Sequence, residues 1–210
     1  MDWNKLQNGS DIRGVALEGI EGESVNLTTE VTTALAQAFV AWLGEKNGKT
    51  AQIIAVGSDS RLSSPTLRQA FADGAAAASA TVLNFGMAST PAMFMATVDE
   101  QLHADGAVMV TASHLPWNRN GLKFFTAKGG LEKADIARIL ELAPQFMGSE
   151  TEGNGEVKAV DFMATYCDIL VNYIRRGVNN GDQPLQGMHI IVDAGNGAGG
   201  FFANKVLKSL

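Results

Sequence analysis

The chain has 210 residues, a net charge of −6 and 46% hydrophobic residues. That composition supports a sizeable core and excludes a disordered chain, and the acidic balance excludes a broad nucleic-acid or anionic-membrane surface. No apolar stretch reaches membrane-spanning length, the N-terminus lacks a signal-peptide layout, and a single cysteine, Cys167, excludes an intrachain disulfide. These features describe a soluble, cytoplasmic globular protein with no nucleic-acid or membrane partner.

Short β-like runs alternate with longer amphipathic stretches. Asn26 or Thr28 is positioned to cap a helix carrying Val31, Leu35, Phe39 and Trp42 on one face, ended by Gly44 and Asn47-Gly48. Gln52–Val56 reads as a buried strand opening into Gly57-Ser58-Asp59-Ser60-Arg61. Ser64 and Pro65 read as an N-cap and first helical residue, followed by Leu67, Phe71, Gly74 and Ala78 on one face. Thr81–Phe85 is a second strand, and Thr90-Pro91 opens a helix with Met95, Val98 and Leu102 turned inward. Ala107–Val110 is a third strand, ending in Thr111-Ala112-Ser113-His114, and Gly121–Phe125 reads as a short strand leaving that loop.

A helix is predicted from about Glu132 to Ala143, stopped by Pro144. The turn-rich stretch from Gly148 to Gly155 is the predicted domain boundary. Beyond it, Val160, Met163, Cys167, Leu170 and Ile174 form a helical stripe, on which Cys167 is a core residue. Met188–Val192 reads as a final strand, followed by Asp193 to Gly200 and a helix to the end. The alternation predicts a three-layer α/β/α domain with a mostly parallel mixed sheet over residues 1–150, followed at 158–210 by the start of a second, similar domain.

In such sheets ligands bind at the carboxyl ends of strands, which singles out Gly57–Arg61, Thr111–Asn120 and Asp193–Gly200, with Asp11–Gly14 as a further contributor. The loop running from Thr111 to Lys123 sets Ser113 and His114 side by side, with Arg119 and Lys123 close in sequence. Cations gathered beside a serine suit phosphoryl chemistry, because they stabilise charge on the transferring group. The plain alternative is a polar turn with Ser113 as a cap. A serine-hydrolase elbow needs Gly-x-Ser-x-Gly, which Ala112-Ser113-His114 lacks. Gly195, Gly197 and Gly200 match G-x-G-x-x-G between a predicted strand and helix, so a dinucleotide site is a competing reading. No His-Glu-x-x-His or paired Cys-x-x-Cys is present, His103 and His189 read as structural, and Arg175-Arg176 reads as a solvated basic pair late in a helix.

Taken in order, four segments resemble the α-D-phosphohexomutase family, which includes phosphoglucomutases and phosphomannomutases. They are Asp11-Ile12-Arg13-Gly14, the Gly57–Arg61 loop, Thr111-Ala112-Ser113-His114 with Pro116, Asn120, Gly121 and Lys123, and Val192-Asp193 through Gly199. The resemblance implies that Ser113 carries a phosphoryl group and exchanges it with a hexose phosphate, of glucose or mannose, through a bisphosphate intermediate. It further implies Lys123 as general acid/base, Arg13 and His114 in support, Arg61 as a brace, and Mg²⁺ with the Ser113 phosphoryl oxygen as one ligand. Leu115 stands where the family pattern has asparagine, and Thr111 rather than serine points away from the phosphoglucosamine branch. The family's metal loop, Asp-Gly-Asp-x-Asp-Arg, does not occur in these 210 residues. The chain is therefore expected to be the N-terminal part of such an enzyme, without turnover on its own. The competing class is a non-catalytic or degenerate α/β interaction domain, against which the retention of Ser113 and Lys123 argues.

Overall fold

The computed structural model describes residues 1–149 and 153–210. Among the described residues, the strands are β1 (Gln7–Asn8), β2 (Asp11–Val15), β3 (Ile53–Ser58), β4 (Thr81–Met87), β5 (Gly106–Val110), β6 (Arg119–Thr126), β7 (Gly129–Gly130) and β8 (Glu156–Ala159). The α-helices are α1 (Thr29–Asn47), α2 (Ser64–Ala77), α3 (Thr90–Val98), α4 (Lys133–Leu142) and α5 (Phe162–Val178).

The strands form one mixed sheet in the order β1-β2-β6-β5-β3-β4-β8, with β7 beside β6. Its parallel half is β5-β3-β4-β8. Its antiparallel half runs from β1 through β2 and β6 to β5. The parallel neighbours are joined by helical crossovers, which a parallel pair requires. One face of the sheet presents Ile54, Val56, Val108, Val110, Leu122 and Phe124 to α1, α2 and α4. The other presents Ala55, Leu83, Phe85, Ala107 and Met109 to α3 and α5. This is the expected three-layer arrangement, and the alternation of faces along each strand produces it.

Phe39 centres the larger core, with its ring centroid 4.8 Å from that of Phe124 and 5.9 Å from that of Trp42. Thr28 caps α1 by accepting from the Val31 amide at 3.2 Å. α1 and α2 approach closely because Gly74 has no Cβ; an added one would stand 2.7 Å from the Thr33 carbonyl oxygen. Cys167 lies buried with Val171, Val206 and Leu210, as its stripe implied.

Several expectations change. The cap of α2 is Ser63, and Ser64 is already helical; its hydroxyl donates to Asp59 at 2.5 Å. Val98 closes α3 and is exposed, because the buried face of the helix is Ala92, Met93 and Ala96, with Met95 and Leu102 only partly buried. Asp11–Gly14 lies in a strand rather than a loop. Glu156–Ala159, directly upstream of the predicted helical stripe, is an edge strand parallel to β4, and the helix starts at Phe162, so Val160 lies before it. Of the predicted boundary at Gly148–Gly155, residues 150–152 lie outside the described residues.

The largest correction concerns Met188–Val192, which is no strand: Met188, Ile190, Ile191 and Val192 are all exposed, and among the described residues no strand pairs with them. The predicted terminal helix is reduced to short 3-10 and π turns over 198–209. The glycines at 195–200 thus lack the strand-turn-helix setting a dinucleotide fingerprint needs. No helix among the described residues is long and apolar enough to cross a membrane.

Candidate functional site

β3 and β5 are parallel neighbours, with Ser58 opposite Val110, so the loops that follow them emerge side by side. β6 returns antiparallel to β5, and β2 lies antiparallel to β6. Four segments far apart in sequence thereby meet at one end of the sheet: Asp11–Arg13, Asp59–Ser64, Thr111–Asn118 and Arg119–Lys123.

Asp11, Arg13 and Lys123 form one cluster. Lys123 Nζ lies 2.5 Å and Arg13 NH2 2.8 Å from the same oxygen, Oδ2 of Asp11. Arg13 NH1 also donates to the Ala112 carbonyl at 3.4 Å, directly before Ser113. Two cations on one nearly buried carboxylate leave a net positive charge beside the serine loop.

Ser113 itself is exposed, and its φ of +58° places it in the left-handed region. For a residue with a Cβ that conformation costs ~1–2 kcal/mol, so the surroundings must hold it. Its amide donates to Thr111 Oγ1 at 3.0 Å, and its carbonyl accepts from Arg61 NH2 at 2.9 Å. The exposed His114 ring has Nδ1 3.4 Å from Ser113 Oγ.

Arg61 braces the loop, as the resemblance implied. NH1 donates to the carbonyls of Pro116 (2.7 Å) and Arg119 (3.1 Å), and NH2 to those of Ser113 and Leu115 (2.7 Å). A planar guanidinium with several divergent donors serves this arrangement better than an ammonium would. Asp59 completes it: Oδ2 accepts from Thr111 Oγ1 at 2.7 Å and lies 3.3 Å from Arg61 Nε, and Oδ1 accepts from Ser64 Oγ. The buried Asn120 side chain donates to Ser63 Oγ at 2.8 Å and Ser64 Oγ at 3.0 Å. Asp11, Asp59 and Asn120 were not singled out as site side chains from sequence, although each lies inside a motif that was.

Residues 16–23 pack on the far side of the serine loop. The amides of Ala16 and Leu17 donate to the Asn118 carbonyl, and Glu23 accepts from Asn118 Nδ2 at 2.7 Å and Arg119 NH2 at 2.5 Å. The bonds from Arg119 and then Asn118 hold the Glu23 carboxyl below its ordinary value of 4.5. A depressed carboxyl stabilises the fold above its unfolded value, and that contribution is lost as pH falls through its folded value. Glu23→Gln is therefore expected to lower the urea midpoint at pH 7, with the difference from the parent shrinking between pH 5 and pH 3. A difference that stays constant over that window would show that Glu23 is not the titrating group.

Among the described residues, no group of three or more His, Cys, Asp or Glu side chains is placed to hold a metal ion. Asp11 and Asp59 are already engaged by cations and hydroxyls, and Ser113 offers a single oxygen. The residues present do not fit a Mg²⁺ site, which wants several free oxygen ligands.

Residues 4–145 match the family model for the phosphoglucomutase/phosphomannomutase alpha/beta/alpha domain I. A phosphoglucomutase of Neisseria gonorrhoeae is 32% identical over 194 residues, spanning 92% of this chain and 39% of that protein. A phosphomannomutase of Escherichia coli is 34% identical over 203 residues, spanning 94% of this chain and 40% of that protein. The chain thus spans about two fifths of the length of the curated relatives it matches. Among solved structures, a phosphoglucomutase/phosphomannomutase family protein from Burkholderia thailandensis superposes with a TM-score of 0.58 at 28% identity, over 78% of this chain and 34% of that one. A phosphoglucomutase from Paramecium, at 20% identity, shares the fold with a TM-score of 0.64 over 85% of this chain and 38% of that one. A clamped serine loop at the carboxyl edge of this sheet and a domain-length match agree, and the chain belongs to the phosphoglucomutase/phosphomannomutase family.

Proposed function

We propose that this chain is the phosphoserine-bearing N-terminal part of a cytoplasmic phosphohexomutase, with Ser113 as the phosphoryl carrier and a glucose or mannose phosphate as substrate. The observation that carries this reading is the contrast at Ser113. Its backbone is clamped at both N–H and C=O, yet its side chain is exposed beside a cluster of two cations on one carboxylate. A serine that only capped a turn would turn its hydroxyl onto the backbone. A phosphoserine needs an accessible oxygen and nearby positive charge.

In the proposed step, a hydroxyl oxygen of the hexose phosphate attacks the phosphorus on Ser113. The bond from phosphorus to Ser113 Oγ breaks, the Lys123 ammonium gives a proton to the departing Oγ and regains one from the attacking hydroxyl, so the lysine is a cation before and after the step. Arg13 stabilises the equatorial oxygens, and His114 supports the serine oxygen. Mg²⁺ is proposed only as the ion the family resemblance implies, through the Ser113 phosphoryl oxygen. The residues present do not complete its site, and no step here runs through it.

Intact-mass measurement after incubation with a hexose 1,6-bisphosphate tests the reading. The chain is expected to take one phosphate and Ser113→Ala none; an unchanged adduct in the variant would remove Ser113 from the role. No adduct on the parent chain would favour the non-catalytic interaction domain. A coupled assay with glucose 1-phosphate or mannose 1-phosphate is expected to show no turnover by the chain alone, since a full cycle needs the bisphosphate held in two orientations for two transfers, whereas labelling of Ser113 asks for a single slow transfer. Robust turnover would overturn that expectation.

A further inference from the structure

The two polar groups of the Ser113 backbone are held by side chains from different loops, Thr111 on the N–H and Arg61 on the C=O. Both of these side chains meet the same oxygen, Oδ2 of Asp59: Thr111 Oγ1 at 2.7 Å and Arg61 Nε at 3.3 Å. We propose that Asp59 is a positioning residue that, through Thr111 and Arg61, sets the left-handed backbone of Ser113 and so the direction in which its oxygen projects. The inference rests on the reading of Ser113 as the phosphoryl carrier.

Asp59 is itself immobilised. Its amide donates to the Val110 carbonyl at 3.1 Å, which ties it to the strand that leads into Thr111. Its Oδ1 accepts from Ser64 Oγ at 2.5 Å and from the Arg61 amide at 3.0 Å. Ser64 in turn receives a hydrogen bond from the buried Asn120, at the start of the strand that leaves the serine loop. Both carboxylate oxygens are thus occupied by hydroxyls, an amide and a guanidinium. A carboxylate that accepts three hydrogen bonds and faces the Arg61 guanidinium is poorly placed to take a metal ion or a substrate proton, so its contribution is geometric. The chain of contacts Asn120–Ser64–Asp59–Thr111–Ser113 joins both ends of the serine loop to the start of α2. The loop is held by a carboxylate and hydroxyls rather than by backbone pairing alone.

The strained φ supplies the reason for such a device. A serine left to itself would relax toward negative φ, which would swing Oγ away from its present direction. Thr111 is the more informative handle, because valine keeps its shape and deletes only the hydroxyl, whereas serine restores the hydroxyl.

The test is amide hydrogen exchange of Ser113 by NMR on the ¹⁵N-labelled chain. Thr111→Val and Asp59→Asn are each expected to speed Ser113 exchange about tenfold, as loss of one hydrogen bond implies, while Thr111→Ser restores parent behaviour. Unchanged β5 amides, Ala107 to Val110, show that the sheet is folded in all three. Equal Ser113 exchange in the parent, Thr111→Val and Asp59→Asn would overturn the assignment, as would a Thr111→Ser variant as perturbed as Thr111→Val. The same proteins are then incubated with a hexose 1,6-bisphosphate. Phosphate is expected to appear on Ser113 about tenfold more slowly in Thr111→Val and Asp59→Asn, and at the parent rate in Thr111→Ser. The exchange pattern decides the Asp59 assignment, and the presence of an adduct on the parent decides the reading of Ser113, so failure of one is distinguishable from failure of the other.

Discussion

Replacing Arg61 by alanine is expected to destabilise the chain by about 3 kcal/mol and to release the Ser113–Arg119 turn. Its guanidinium donates to the carbonyls of Ser113, Leu115, Pro116 and Arg119 between 2.7 and 3.1 Å. Hydrogen bonds from a charged donor contribute roughly 1.5–3 kcal/mol each, but four on one side chain are not additive, which brings the total down to the lower figure. The side chain is only 13% exposed, so water cannot fully replace it at the carbonyls it leaves. Asp59 would also lose its only cation among the described residues.

Arg61→Lys separates charge from shape. Lysine keeps the positive charge but concentrates its donors at one nitrogen, which cannot span carbonyls on opposite sides of the turn. It is expected to recover less than half of the loss. For a chain of this size, about 3 kcal/mol corresponds to a melting temperature lower by ~6–12 °C. Urea unfolding followed by circular dichroism measures the global effect, and tryptic cleavage after Arg119 measures the local one. A loss under about 0.5 kcal/mol in Arg61→Ala, within the usual range of surface substitutions, would show that the turn holds itself.

The layered α/β/α plan was legible because each central element carries a strong local signal that tertiary context did not contradict. Thr81–Met87 and Gly106–Val110 are apolar runs between turn residues, and the α1 stripe places Leu35 and Phe39 at full burial. β8 was not legible. Glu-Val-Lys-Ala is four residues long, half charged and exposed throughout, and only its register with Thr81–Asn84 makes it a strand. Ile190-Ile191-Val192 failed in the opposite direction. Its β-branched side chains favour a strand, but a strand also needs a hydrogen-bonded neighbour, and none among the described residues pairs with it.

The site divides in the same way. Ser113, Lys123 and Arg13 were legible as residue types within motifs. That Asp59 would meet Thr111, 52 residues away, depends on β3 and β5 being parallel neighbours, which no local pattern encodes. The shared use of Asp11 by Arg13 and Lys123 depends likewise on the pairing of β2 with β6. In both places the motif names the residues and the strand order supplies the geometry. The strand most responsible is β6, which is flanked by β2 and β5 and carries Lys123.

Gly121→Ala is therefore expected to be among the most damaging single-methyl changes in the chain, at about 2–4 kcal/mol, the cost of forcing extra volume against fixed backbone. A Cβ at this position would stand 2.4 Å from the Ile12 carbonyl oxygen and 3.0 Å from the Thr111 carbonyl oxygen. One of these atoms belongs to β2, and the other follows β5 directly. Moving β6 away from either drives it into the other, and relief by rotamer change is unavailable because both oxygens are backbone. The added methyl would also come within 3.0 Å of Arg13 Cγ, so Arg13 would be displaced from Asp11 and from the Ala112 carbonyl. Loss of stability should thus be accompanied by reduced phosphate uptake at Ser113. Gly130→Ala is the matched control: its new Cβ would meet nothing nearer than 3.8 Å, which is ordinary contact, and the change is expected to stay within about 0.5 kcal/mol. Urea unfolding of the two variants side by side decides the matter. Equal midpoints would mean that β2 and β6 can separate without cost, and that the pairing of Ile12 with Leu122 does not fix where Asp11, Arg13 and Lys123 meet.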